Sequence, residues 1–147
     1  MRSRFFQPLA IVGAVVALAI SSTHFGASAA QGMSAEANGR SIFLTGKDDR
    51  GSKIVARKPP LYASCAACHR ANGSGGVHLP GGAVSADLRH AALVTHQKHP
   101  YDLTLLERAI STGIDNEGKP LDPVMPHWRL SRRDLHDVAL YVLTKVR

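Results

Sequence analysis

Both cysteines of this chain fall inside one pentapeptide, Cys65-Ala66-Ala67-Cys68-His69. Cysteines placed this close cannot staple distant loops, so a disulfide-built scaffold is excluded. On a helical turn, residues three apart share a face, so both sulfurs can reach one flat ligand with His69 directly after them. A thioredoxin-like redox pair also uses this spacing, but it wants a βαβ setting, and strand signals are weak throughout the chain. Structural zinc takes four ligands, so Cys65 and Cys68 would have to recruit one or two of the other seven histidines. A disulfide across one helical turn closes too small a loop to constrain much. The remaining reading is the C-x-x-C-H attachment signature of c-type haem. There each thiol adds to a vinyl group as a thioether, and the adjacent imidazole can coordinate the iron. For this composition the pentapeptide arises by chance roughly once in a thousand, and we adopt that reading: one covalent haem c (heme c) per chain.

A length of 147 residues leaves room for one hydrophobic core. The longest apolar run, Leu9 to Ile20, falls short of the roughly 20 residues a membrane-spanning helix needs. Arg2 and Arg4 precede it, no acid occurs before Glu36, and small residues ending in Ala27-Ser28-Ala29 follow. A basic start, a short apolar run and an A-x-A site read as a secretory signal over residues 1–29, with an uncleaved anchor or a buried core helix as the alternative. The expectation is one domain over residues 30–147, delivered across the cytoplasmic membrane to the periplasm, where a cysteine pair is under oxidising pressure.

The architecture is expected to be all-α. Apolar residues between Ser34 and Leu44 predict a short helix interrupted by Gly39, and residues 45–60, polar and carrying Gly and Pro, predict a surface loop. Leu61 to His69 is a second short helix. Residues 70–100 are mostly loop, punctuated by glycine and proline, and some thirty residues without periodicity suggest a segment wrapped around a ligand. Thr104 and Glu107 predict a capping box for a helix that ends at Gly113. Ser131 with Asp134 opens a last helix, in which Leu135, Val138, Ala139, Tyr141, Val142 and Val146 recur at helical spacing. Between those two helices residues 114–128 read as extended loop.

An iron held by one histidine has either an open position or a second axial ligand. Beyond the initiator the methionines are Met33, near the start of the expected domain, and Met125, in Pro123-Val124-Met125-Pro126. Flanking prolines restrict the backbone, so this loop can hold a thioether still, and a soft sulfur ligand favours ferrous iron. Met125 is therefore the candidate distal ligand, against the alternative of a gap-filling core side chain. His127 is its main rival, followed by His78, His90, His96 and His99.

With these residues in view, the chain resembles a class I, monohaem c-type cytochrome over roughly residues 35–146. The likeness rests on Gly39 and Phe43 in the first helix, the Cys65–His69 motif, Met125-Pro126 with Trp128, and the last helix with Tyr141. It implies a small cytochrome c fold of short helices and loops around one haem, with His69 as proximal ligand and Met125 as distal ligand. It also implies close crossing of the first and last helices, with Gly39 facing Leu140 or Tyr141. Two departures stand out. The segment between Phe43 and Cys65 is long for the family, and the proline whose carbonyl usually orients the proximal histidine is matched either by Pro80 or by a segment in which Ala86 stands in its place.

The function implied is one-electron transfer, with no bond of a substrate made or broken. Leu79, Leu88, Leu93, Leu103, Leu106, Ile110, Leu121, Val124, Trp128, Leu130 and Leu140 are candidate lining residues of a dry pocket. Other classes stay open at this point: a haem-based ligand sensor or enzyme with an open sixth site, or a fixed electron-transfer subunit of a membrane oxidase or dehydrogenase complex. Formal charge is +7, and Arg50, Lys53, Arg57, Lys58 and Arg70 flank the motif. A positive rim would steer a redox partner protein with an acidic docking surface. Nucleic-acid binding has no motif behind it, and membrane association is expected only through a partner.

Overall fold

The computed structural model describes residues 32–147, so the expected signal over residues 1–29 lies outside the described residues. Helix α1 spans Ala35–Thr45. The Ser34 hydroxyl accepts the Ala37 N–H at its start, and the chain leaves the helix at Gly46 in a left-handed conformation. Strand β1 (Val55–Ala56) follows, then helix α2 (Cys65–His69), a 3₁₀ turn at Pro80–Gly82 and a π-type turn at Ala91–Thr95. Helix α3 (Leu103–Thr112), strand β2 (Trp128–Arg129) and helix α4 (Arg132–Lys145) complete the order.

The core forms where α1 crosses α4. Gly39 makes the crossing possible: a Cβ there would sit 2.7 Å from the Asp137 carbonyl carbon and 2.8 Å from Tyr141 Cβ. The expected partner Tyr141 is present, and the backbone of Asp137, one turn earlier, shares the contact. Phe43 then lies against Tyr141 with ring centroids 5.7 Å apart and planes tilted by 50°. Ile42, Phe43 and Ala139 are fully buried, and each large apolar side chain so placed contributes about 1.5–3 kcal/mol. Asn38 is also fully buried, and its amide donates to Asp134 (2.9 Å) and Asp137 (2.8 Å) on α4. Polar and apolar contacts thus hold the same crossing.

Several boundaries differ from the sequence expectation. The second helix is only Cys65–His69, with bends over residues 61–64. α3 (Leu103–Thr112) is capped at Asp102, two residues before the expected Thr104. Asp102 is extended and its carboxylate accepts the Leu105 N–H at 2.7 Å, which places Thr104 inside the helix. Glu107 is drawn instead to His136 on α4, at 3.2 Å. Ser131 and Asp134 behave as expected, with the Ser131 hydroxyl accepting the Asp134 N–H. Residues 45–60 are largely exposed, but their far end is paired. Lys47 bridges Lys53, and β1 runs antiparallel to β2 with Val55 opposite Arg129 and Ala56 opposite Trp128.

Candidate functional site

Helix α2 is one turn long and puts Cys65, Cys68 and His69 on the wall of one cavity of about 310 Å³. The helix stops at once because Arg70 takes φ +64°, a conformation costly for a residue with a side chain. The chain then folds back, and the Gly75 N–H donates to the His69 carbonyl at 3.0 Å. That return brings residues 85–86 beneath the imidazole. His69 Nδ1 lies 2.8 Å from the Ala86 carbonyl oxygen. A carbonyl can only accept, so Nδ1 carries the proton. Burial holds the His69 pKa below the usual imidazole range, against the opposing pull of the Ala86 bond. The ring is therefore neutral at pH 7 with Nε2 free to donate its lone pair, the tautomer a metal-binding histidine needs. Of the two acceptors left open by the sequence, the structure selects Ala86.

Burial pushes the Cys65 thiol up to about 12, and the Cys68 thiol is raised for the same reason. A redox-active nucleophilic cysteine needs the opposite shift. Among the described residues no three His, Cys, Asp or Glu side chains group as metal donors, whereas structural zinc takes four.

Met125 reaches the same cavity from the loop between α3 and β2. The loop is closed on itself: Asp122 accepts the Val124 N–H through its carboxylate and the Met125 N–H through its carbonyl, each at 2.9 Å. Beyond it, the buried Trp128 lines the cavity while its strand pairs with β1. Met33 is 39% exposed and outside the cavity wall. His127, the expected rival, is exposed, and its ring packs over Gly113 rather than the cavity. His78, His90, His96 and His99 are likewise exposed and do not line it.

The remaining wall is mostly apolar. Leu79, Leu88, Leu93, Leu106, Ile110, Leu121, Val124 and Trp128 line it as expected, whereas Leu103, Leu130 and Leu140 do not; Leu103 and Leu130 pack on the core instead. Phe43, Tyr101, Val138 and Val142 also line the cavity and were not foreseen as lining. Phe43, Val138 and Val142 read as ordinary helix core, and Tyr101 stands in a segment without periodicity. Tyr101, Asp115 and Asn116 form a polar margin, where burial raises the Tyr101 phenol pKa. Behind them Arg108 donates to the Asp115 carbonyl, and its Nε is buried without a hydrogen-bond partner. The residues present fit a haem. Two thiols one helical turn apart, a neutral imidazole with one free nitrogen and a thioether all meet an apolar cavity with a short polar edge at Tyr101, Asp115 and Asn116.

A family model described as cytochrome c matches residues 49–145, more than half of the chain. No curated protein matches the chain significantly.

Proposed function

Since this chain belongs to the cytochrome c family, we propose that it is a monohaem one-electron carrier working in the periplasm. In this reading Cys65 and Cys68 would hold one haem covalently, and His69 and Met125 would ligate its iron. The observation that carries the reading is the convergence of these four side chains on one apolar cavity, with His69 fixed in the ligating tautomer by Ala86. A haem bound there supplies a ferric–ferrous couple. The chain's own residues bind it, orient the imidazole, present the thioether and keep water out. A closed site with two protein ligands favours electron transfer over substrate turnover. The basic start, short apolar run and Ala27-Ser28-Ala29 support export, and among the described residues no helix is long and apolar enough to cross a membrane.

The test is a redox titration followed by absorption spectroscopy of the wild type and Met125→Ala. The wild type should titrate reversibly with one electron and show a sulfur–iron band in the oxidised form. Met125→Ala should lose the band and shift to lower potential, because the thioether favours the ferrous state. An unchanged spectrum and potential would remove Met125 from the iron and give the sixth position to another group or to an exchangeable ligand, as a ligand sensor requires.

A further inference from the structure

The hairpin that carries Ala86 to His69 slips by one residue, and the slip occurs at Ser85. His78 pairs antiparallel with Val84 around the turn at Pro80–Gly82, and the Ser85 N–H donates to the Val77 carbonyl at 3.0 Å. A regular ladder would return the Val77 N–H to the Ser85 carbonyl. That carbonyl instead accepts the Gly76 N–H at 2.9 Å, with Gly76 at φ +72°. Gly76 and Val77 therefore oppose one residue, a β-bulge with glycine in its left-handed position. Such a bulge leaves an N–H without a ladder partner. A side chain takes it here: the Ser85 hydroxyl accepts the Val77 N–H at 3.0 Å. Ser85 is 8% exposed. A hydroxyl so deep is costly unless it is bonded, and Val77 is the partner its oxygen has among the described residues.

The slip decides what reaches the imidazole. In a regular ladder Gly76 would lie opposite Ala86. With the bulge Gly75 does, so closely that a Cβ there would stand 2.5 Å from the Ala86 carbonyl carbon. Ala86 adds no restraint of its own. It is exposed, its φ is not locked as a proline's is, and its N–H donates to no other backbone group among the described residues. Asp87 turns its carboxylate to Arg89. Ala86 is thus held by its neighbours: Ser85 on one side, and on the other Leu88, whose N–H donates to the Gly73 carbonyl at 2.7 Å.

We propose that Ser85 is a positioning residue for the proximal ligand: by capping the bulge at Gly76 and Val77, its hydroxyl aims the Ala86 carbonyl at His69 Nδ1 and so tunes the redox potential. The inference rests on the electron-carrier reading and assigns a residue that sets its potential through another. The direction follows from the hydrogen bond. Donation from Nδ1 to a carbonyl makes the imidazole a stronger electron donor, which favours the ferric state. Loss of that aim therefore raises the potential. Mere loosening of the pocket does the opposite, because water admitted beside the iron favours the more highly charged ferric state.

The experiment compares the wild-type holoprotein with Ser85→Ala, Ser85→Thr and Ser131→Ala. The last removes the hydroxyl that caps α4, which lies off the cavity wall. Each is read by its midpoint potential, by exchange of the His69 Nδ1 proton in the reduced state and by chemical denaturation. Ser85→Ala should raise the potential and exchange the Nδ1 proton about tenfold faster. Ser85→Thr keeps the hydroxyl and should return both readings toward wild type. Ser131→Ala should lose comparable stability with neither change. A lowered potential in Ser85→Ala, or an Nδ1 proton that exchanges as in the wild type, would overturn the proposal and leave Ser85 a residue of the fold alone. A Ser85→Thr variant that behaves like Ser85→Ala would do the same. A wild type that cycles one electron while Ser85→Ala matches it contradicts only the positioning role. A wild type that does not cycle contradicts the carrier reading, and the Nδ1 exchange still decides the role of Ser85.

Discussion

On the His69 side of the cavity two thiols and an imidazole lie within one pentapeptide and ride on a helix of five residues, with the imidazole steadied by a single carbonyl from Ala86. On the Met125 side one thioether is delivered by a loop that Asp122 closes and that β2 ties to β1. The first arrangement is rigid by local geometry: the helical turn sets the spacing of the sulfurs, and the chain reversal at Arg70 and Gly75 brings the acceptor into place. The second depends on contacts between segments distant in sequence. A carrier with this construction should tolerate damage on the Met125 side, losing its spectrum and potential while keeping its fold, and should lose both when the His69 side is disturbed.

The contrast can be broken most severely at the cysteines. Cys65→Ala with Cys68→Ala should abolish stable folding, because the cavity at the centre of the core would be left without contents; circular dichroism retaining native helix content would contradict this. Gly75→Ala comes next. Its Cβ would lie 2.6 Å from the Ser85 carbonyl oxygen at a backbone φ of +61°. We expect a loss of about 3 kcal/mol in chemical denaturation, together with a shifted midpoint potential as Ala86 moves off His69. Wild-type stability would show that the Ala86 segment is not held there. Asp122→Ala is the mildest, removing one side-chain cap of a surface turn at about 1 kcal/mol, with the sulfur–iron band weakened and the fold intact. A larger loss of stability than in Gly75→Ala would reverse the proposed difference between the two sides.

How far each side could be read from the sequence follows the same division. The Cys65–His69 motif is legible because covalent attachment needs its residue types at fixed spacing. Met125 is legible through its flanking prolines, which restrict the chain wherever it folds. Ala86 is not, because the bond uses a backbone carbonyl that any residue supplies, and only the path of the chain decides which one arrives. The α3 cap differs from its expected place for a related reason: Asp102 and Thr104 are both good capping residues, and the extended backbone at Asp102 settles the competition. The β1–β2 pair is silent in sequence because two residues per strand are too few to display alternation. Gly39 was legible through the family likeness, and the crossing it permits brings in Asp137, whose contribution is backbone and therefore silent in sequence.

The most direct measurement is the mass of the denatured protein taken with its oxidised and reduced absorption spectra. A covalently held haem with His69 and Met125 on its iron gives a polypeptide heavier by one haem after denaturation, with the spectrum of a low-spin c-type centre. Colourless protein with the mass of the bare chain would contradict it.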